Sequence, residues 1–221
     1  MAHLMCCIER PARFISPAEA IPILEESGLI IPVGKWIIQN AFSMCTECRK
    51  YYPEFRVSIN LSYVQILKSP LMMELKQIID HSGISCSGII VELTESGYLE
   101  GTPAVRSVWN DMKKLRIQIA LDDFGTGYSN LMNISNLEPD IVKLDRGFTL
   151  KALSRSYEYQ LMQYVIEMVH KLNQYVCVEG VETKEDLEKI KALGPDLIQE
   201  YYYSKPCSRD EFLKKFFGYS E

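Results

Sequence analysis

Two adjacent aspartates, Asp122 and Asp123, directly follow the apolar run 117–121 and precede Gly125-Thr126-Gly127. Carboxylate oxygens at the end of a buried strand are typical ligands of Mg²⁺ or Mn²⁺. Two such ions about 3.5–4 Å apart can clamp a phosphodiester and generate a hydroxide between them. The segment therefore predicts a phosphate-handling divalent-metal site, and the glycine-rich turn after it predicts either a lid or a plain strand-to-helix connection.

Polar residues also end the other apolar runs of the chain. They are Asn60, Glu92 with Glu95, Lys143 with Asp145, and Glu179 with Glu182, while Gln199 lies within the last run. The carboxyl ends of parallel strands in a barrel meet at one mouth, where the active site lies. Clustered carboxylates repel one another unless a cation neutralises them. A single strand-end carboxylate is usually a helix cap or a surface charge, and this alternative is strongest for Asp145 and Glu182.

The elements that must position these residues alternate along the chain. Strands are predicted at 4–8, 55–61, 88–94, 117–122, 140–145, 175–179 and 197–203. Helices are predicted after the Ser16 cap and at 35–50, 69–82, 102–115, 155–174, 184–192 and 208–216. This alternation indicates an α/β fold with a parallel sheet covered by helices. Seven or eight units in one 221-residue domain favour a (β/α) barrel over an open sheet.

Composition excludes several other classes of protein. The net charge of -5 argues against a nucleic-acid-binding surface. No apolar run approaches the roughly 20 residues that span a bilayer. The seven cysteines are odd in number and scattered, which predicts reduced thiols and a cytoplasmic domain. Cys45 and Cys48 form a CxxC without the second ligand pair that a zinc site needs.

Motifs along nearly the whole chain resemble the EAL-domain family of cyclic di-GMP phosphodiesterases. The matching segments are Ile15-Ser16-Pro17-Ala18-Glu19-Ala20-Ile21-Pro22, Glu25-Glu26-Ser27-Gly28-Leu29-Ile30, Ser58-Ile59-Asn60-Leu61-Ser62, Val91-Glu92-Leu93-Thr94-Glu95-Ser96, Leu121-Asp122-Asp123-Phe124-Gly125-Thr126-Gly127-Tyr128-Ser129, Val142-Lys143-Leu144-Asp145-Arg146, Val178-Glu179-Gly180-Val181-Glu182-Thr183, and Gln199 with Ser204-Lys205-Pro206. The resemblance implies a modified TIM-type (β/α)8 barrel whose first strand is antiparallel to the others and truncated here.

The resemblance also implies cleavage of cyclic di-GMP to linear pGpG with two Mg²⁺ or Mn²⁺ ions. It assigns metal binding to Asn60, Glu92, Asp122 and Asp123, and activation of the attacking water to Glu179 and Lys143. It assigns supporting or ligand-binding roles to Gln199, Glu95, Glu182 and Asp145. In the family, the Glu95 position anchors the loop that follows Asp123, which implies a homodimer formed through this region.

The first strand departs from the family pattern. Counting back from Phe14 without gaps places Ala2 where the family has a metal-binding glutamate, and Cys6 where it has an arginine that contacts the substrate phosphate. A cysteine cannot make the bidentate contact of a guanidinium. Met1-Ala2-His3 resembles a cloning remnant, so we expect a fragment of a longer signalling protein that can itself be membrane-anchored. An incomplete two-ion site predicts low or absent turnover.

Three functional interpretations follow. The first is a cyclic di-GMP phosphodiesterase domain. It is favoured by the intact strand-end residues Asn60, Glu92, Asp122, Asp123, Lys143, Glu179 and Gln199. The second is a catalytically degenerate domain that binds cyclic di-GMP or a protein partner, which Ala2 and Cys6 favour. The third, a barrel lyase whose Lys143 forms a Schiff base, is disfavoured because the surrounding carboxylates would keep the lysine protonated.

Overall fold

Strands and amphipathic helices alternate in the computed structural model as the sequence predicts. The structure describes residues 2–3, 8–10, 13–94, 102–126, 134, 137–199 and 201–218. The chain divides into two units. The first comprises Met1–Glu92, Glu100–Gln118 and Ser208–Glu221, and the second comprises Leu93–Leu99 and Ile119–Cys207. Among the described helices, none is long and apolar enough to cross a membrane.

The described strands are β1 (Ala2–His3), β2 (Ile8–Arg10), β3 (Arg13–Ile15), β4 (Val57–Asn60), β5 (Ile89–Thr94), β6 (Gln118–Phe124), β7 (Ile141–Leu144), β8 (Tyr175–Glu179) and β9 (Leu197–Gln199). The described α-helices are α1 (Pro17–Ser27), α2 (Ile30–Cys48), α3 (Tyr63–Lys68), α4 (Leu71–Ser82), α5 (Pro103–Lys114), α6 (Arg146–Ser154), α7 (Ser156–Lys171), α8 (Lys184–Lys191) and α9 (Arg209–Phe217). The predicted helices and most predicted strands differ from these bounds at their ends, whereas α3, α6 and the β2–β3 hairpin are not among the predicted elements.

In the first unit, β4 pairs in parallel with β1 and with β5. The prediction of an antiparallel first strand is therefore wrong for Ala2–His3, which pairs in parallel with Val57 and Ser58. Parallel neighbours need a long crossover, and the segment between them holds α1 and α2. Antiparallel pairing occurs instead in the hairpin of β2 and β3. The predicted strand 4–8 falls mostly outside the described residues, and Ile8 begins β2.

Helix signals in the first unit act as the sequence predicts. Ser16 caps α1 by accepting a hydrogen bond from the Glu19 amide, and Pro17 occupies the first turn. Helix α2 begins at Ile30 rather than at residue 35. Pro32 is compatible with this start, because it lies in the first turn, where its missing amide costs no hydrogen bond within the helix. Apolar side chains then recur at helical spacing along its buried face.

The two cysteines of the CxxC are core residues of α2. Both side chains are buried, and Cys45 Sγ lies 3.7 Å from two acceptors for its single thiol hydrogen, the carbonyl oxygens of Phe55 and Gly88. Burial raises the pKa of Cys45. The pKa of Cys48 is raised to about 11, mainly by burial and to a lesser extent by the neighbouring Cys45. The thiolate form that binds metal is therefore disfavoured at both positions.

In the second unit, β6, β7, β8 and β9 form a ladder in which every pairing is parallel. All four residues of β7 are buried, as expected for a strand covered on both faces. Two aspartates before strands secure the neighbouring strand. Asp140 accepts from the Ile119 amide at 2.8 Å, and Asp196 accepts from the Val176 amide at 2.7 Å. These bonds fix the beginning of β6 relative to β7 and the beginning of β8 relative to β9.

The sequence-based prediction is wrong for two segments of the second unit. The predicted strand 197–203 ends at Gln199, and Tyr201, Tyr202 and Tyr203 form an exposed turn. Helix α6 lies beyond the predicted elements. Its start is set by Asp145, whose side chain accepts from the amides of Gly147 and Phe148. Tyrosine has a high strand propensity, but among the described residues no strand pairs with this segment.

Candidate active site

A buried lysine joins two carboxylates at the ends of neighbouring strands in the second unit. The ammonium of Lys143 on β7 lies 3.0 Å from Asp122 Oδ1 on β6 and 2.7 Å from Glu179 Oε1 on β8. The lysine side chain is 2% exposed, and the two carboxylates are 12% and 21% exposed. Burial of a charge is costly unless it is paired, so each of these three groups depends on the others.

Gln199 extends the network to β9. It stands beside Glu179 in the register of β8 and β9, and its Nε2 donates to Glu179 Oε1 at 3.1 Å. The same carboxylate oxygen therefore receives both the lysine and the amide. Gln199 Oε1 is buried and has no hydrogen-bond partner in the described part of the chain. This acceptor is suited to a water or another donor held at the site.

A β-bulge accounts for the position of the two aspartates. Leu121 pairs with Val142 and Phe124 with Leu144, so Asp122 and Asp123 together stand opposite the single residue Lys143. Asp123 has φ +61°, and its amide donates to Asp122 Oδ1 at 3.0 Å. Aspartate tolerates this left-handed conformation better than most residues. Neighbouring residues on a regular strand face opposite sides, whereas a bulge re-aims one of them.

The turn after the aspartates is fixed by packing at its first glycine. Gly125 has φ +105°, and an added Cβ would lie 3.0 Å from Cδ1 of Phe148. Thr126 Oγ1 donates to the carbonyl oxygen of Asp123 at 3.1 Å. Glycine is needed here both for its backbone conformation and for the close approach of the ring. Of the predicted segment Gly125-Thr126-Gly127, Gly127 lies outside the described residues, and the alternatives of a lid and a plain turn both stay predictions.

The first unit contains the other two predicted ligands. Asn60 at the end of β4 stands beside Glu92 on β5, and the Leu61 amide donates to the Glu92 carbonyl oxygen at 3.0 Å. The Asn60 side chain is exposed, whereas Glu92 is only 1% exposed. Ser58, which is fully buried, donates its hydroxyl to Glu92 Oε1. The Glu92 carboxylate is thus held in a defined orientation.

Two of the weaker predicted site residues have evident structural contacts. The Asp145 side chain caps α6. Glu182 Oε1 lies 2.6 Å from Nη2 of Arg146 in an ion pair whose members are about half exposed. These contacts correspond to the cap and surface-pair alternatives, and the ligand-binding roles stay predictions. Glu95 lies outside the described residues.

The donor chemistry of the predicted metal ligands fits a hard divalent cation. Asn60, Glu92, Asp122 and Asp123 offer carboxylate and amide oxygens, which Mg²⁺ and Mn²⁺ prefer. Within the described ranges, no three His, Cys, Asp or Glu side chains are grouped as around a metal ion. In the second unit, the Lys143 ammonium supplies the positive charge between Asp122 and Glu179. The ligand assignments therefore remain predictions, supported by donor type and by the open acceptor of Gln199.

Ser58 is the residue of this region that the strand-end pattern fails to predict. Its signal is a small polar side chain within the apolar run 57–59, two positions before Asn60. Residues two apart on a strand face the same side. A serine in that position is ambiguous in sequence, because nothing local shows which carboxylate lies across the ladder.

Comparisons with known proteins agree with these features. The family model described as the EAL domain matches residues 3–206. The chain is 31% identical over 192 residues to the cyclic di-GMP phosphodiesterase PdeF of Escherichia coli strain K12, covering 87% of this chain and 26% of that protein. It is 31% identical over 193 residues to the cyclic di-GMP phosphodiesterase PA2567 of Pseudomonas aeruginosa, covering 87% of this chain and 33% of that protein.

The fold is also similar to a solved structure, the PaMucR phosphodiesterase in complex with c-di-GMP. The TM-score is 0.88 and the sequence identity 25%, and the match covers 96% of this chain and 86% of that chain. The predicted α/β fold of the EAL type is confirmed. The chain spans about a quarter to a third of the length of the two curated relatives.

Proposed function

The chain belongs to the EAL-domain family, and on that basis we propose that it is a cyclic di-GMP phosphodiesterase domain with low turnover. The observation that carries the proposal is the buried Lys143 held between Asp122 and Glu179. Buried clusters of charged side chains at strand ends are candidates for functional sites. Relatives that bear this activity by name align along most of the chain.

Each residue of the second-unit network has a chemical task in this proposal. Hydrolysis needs a deprotonated water and compensation of charge on the phosphoryl oxygens. Glu179 accepts the proton of the water, because its carboxylate is fixed by two donors and remains partly accessible. Lys143 holds the water or stabilises the developing charge. Gln199 fixes Glu179 through its amide and offers its own oxygen to the water.

The metal ligands in this proposal are Asn60, Glu92, Asp122 and Asp123. When bound, Mg²⁺ or Mn²⁺ lowers the pKa of water and neutralises phosphoryl charge. The bulge at Asp122-Asp123 presents two adjacent carboxylates at one strand end. Ala2 supplies no carboxylate, so the set lacks the glutamate that the family has in the first strand. Loss of one charged ligand weakens cation binding, which is the reason for the low turnover that we propose.

The partners follow from the same family membership. We infer a homodimer formed through the region after Asp123, with Glu95 anchoring that region, and a longer multidomain signalling protein around this domain. The short coverage of the curated relatives agrees with the second inference. The dimer is testable by the molar mass in solution with and without Mn²⁺.

A degenerate domain that binds cyclic di-GMP without hydrolysis is the second candidate. The observation that favours it is the first strand, where Ala2 and Cys6 replace a metal ligand and a phosphate-binding arginine of the family. Binding needs fewer groups than catalysis, since uniform binding of the substrate does not require stabilisation of the transition state.

One experiment separates the two candidates. The purified chain and its Ala2→Glu variant are incubated with cyclic di-GMP and Mn²⁺, and pGpG is quantified by chromatography, while ligand binding is titrated in a chelator. We expect slow, Mn²⁺-dependent production of pGpG that Ala2→Glu raises. Binding in the chelator with no product from either protein would establish the degenerate domain. Product formation at a rate indifferent to Mn²⁺ would refute the metal-dependent mechanism.

A further inference from the structure

Ser58 and Glu92 form a buried hydroxyl–carboxylate pair in the first unit. Ser58 is 0% exposed and Glu92 is 1% exposed. The serine Oγ donates to Glu92 Oε1 from the adjacent parallel strand. A carboxylate in such surroundings depends on hydrogen bonds from the protein, because little of it is accessible to water.

The register explains why the serine reaches this carboxylate. Asn60 stands beside Glu92, and Ser58 stands beside Ile90, two residues earlier on both strands. The four side chains therefore project from the same face of the sheet. Ser58 lies two residues before Asn60 and contacts the glutamate from the buried part of β4, while Asn60 occupies the exposed end of the strand.

A hydrogen bond from a neighbouring residue determines how a metal-binding carboxylate is presented. Such outer partners fix the rotation of the ligand, and their loss commonly reduces metal affinity by about 10–100-fold. The serine fixes Glu92 Oε1 with a neutral donor and adds no charge that competes with a cation.

We propose that Ser58 is a positioning residue that orients the Glu92 carboxylate for binding of a divalent cation. The inference rests on the proposed function, in which Glu92 is a metal ligand. It assigns a role to a residue that touches neither the ion nor the substrate.

The test compares Mn²⁺ binding by the parent chain with binding by Ser58→Ala and Ser58→Cys. Free Mn²⁺ is followed by electron paramagnetic resonance during titration, without cyclic di-GMP. We expect both variants to bind Mn²⁺ about 10-fold more weakly. Cysteine is slightly larger than serine and leaves no cavity, but it replaces the hydroxyl by a weak donor, so weakening shared by both variants reports the hydrogen bond rather than a cavity.

Ser69→Ala is the matched control. Ser69 is half-buried in the same unit, follows the C-terminal end of α3 rather than lying on a strand, and donates to the Gln65 carbonyl oxygen at 2.7 Å. Its removal should leave Mn²⁺ affinity unchanged. The unfolding temperature of every variant is measured in a chelator, and the Mn²⁺-induced rise in that temperature should shrink only for the Ser58 variants.

The outcomes separate this inference from the proposed function. Parent-like Mn²⁺ affinity in both Ser58 variants would overturn the positioning role and leave the phosphodiesterase proposal intact. A parent chain that binds no Mn²⁺ would overturn both. A further check is the Glu92→Gln background, in which Ser58→Ala should have no additional effect on Mn²⁺ binding. An additive loss in that background would assign the effect of Ser58 to general structure.

Discussion

The ammonium of Lys143 lies 2.7 Å from Glu179 Oε1, and only 2% of the lysine side chain is exposed. A second carboxylate, that of Asp122, lies 3.0 Å from the same nitrogen. One buried cation therefore serves two anions from neighbouring strands. This relationship links stability to function, because the groups that would activate water also hold the strand ends of the second unit together.

Replacement of this lysine should destabilise the protein strongly. Lys143→Met removes the buried ammonium that Asp122 and the partly exposed Glu179 share, and breaking a buried ion pair from one side costs about 3–5 kcal/mol. The measurement is the free energy of unfolding from urea denaturation at neutral pH. Lys184→Met is the control, because Lys184 is 78% exposed and lies 4.0 Å from Glu188 on the helix surface. Equal stabilities of the two variants would contradict the account.

The bulge at Asp123 predicts an unusual order of stability. Glycine within a strand normally lowers the free energy of unfolding by about 0.5–1 kcal/mol relative to alanine. At φ +61° the order should reverse, so that Asp123→Gly is more stable than Asp123→Ala by about 1 kcal/mol. Both variants should lose Mn²⁺-dependent turnover. Denaturant unfolding gives the first result and pGpG production the second.

Ala120→Gly on the same strand is the reference for this prediction. Ala120 is buried and is not among the described residues with positive φ. Glycine should therefore lower the free energy of unfolding at position 120. If Asp123→Ala proves more stable than Asp123→Gly, the left-handed conformation of Asp123 is refuted.

The Gly125 turn should tolerate no side chain. Gly125→Ala combines a φ of +105° with a contact of 3.0 Å to the Phe148 ring, and we expect a loss of about 2 kcal/mol or more in the free energy of unfolding. Gly194→Ala isolates the backbone effect, because Gly194 has φ +74° and no atom within 4 Å of the added Cβ. Its loss should be about 1 kcal/mol. Similar losses at both positions would show that Phe148 does not restrict the turn.

The CxxC should be chemically inert at neutral pH. Burial raises the pKa of the Cys48 thiol to about 11, so the reactive thiolate is scarce in the folded protein. Iodoacetamide at pH 8 should label the exposed Cys207 quickly and Cys45 or Cys48 only on unfolding, as read by peptide mass spectrometry. Rapid labelling of Cys48 in the native protein would contradict its burial.

The same shift has a consequence for stability at alkaline pH. Because the folded-state pKa lies above the usual value of 9.0, folding favours the protonated thiol. This contribution is complete below about pH 9 and is lost as the pH rises towards 11. Cys48→Ser should therefore show a smaller fall in the free energy of unfolding across this window than the parent chain.

Local sequence is a good guide wherever one residue type has one structural use. Ser16 before Pro17 predicts a helix start, and the structure confirms it. The apolar run before Asp122 predicts a buried strand, and β6 confirms it. Local sequence fails where the outcome depends on a partner elsewhere. Tyr201 to Tyr203 have strand propensity but form a turn, and Ala2–His3 pairs in parallel with β4.

The candidate site divides in the same way. The sequence by itself determined the family and the residues at the strand ends, since motif spacing and residue chemistry are properties of the chain. Only the tertiary structure decided how those residues meet. It set two aspartates against one lysine through a bulge, joined Glu179 to both Lys143 and Gln199, and brought Ser58 under Glu92. These contacts cross between strands, and their geometry depends on register and backbone conformation, which no single segment encodes.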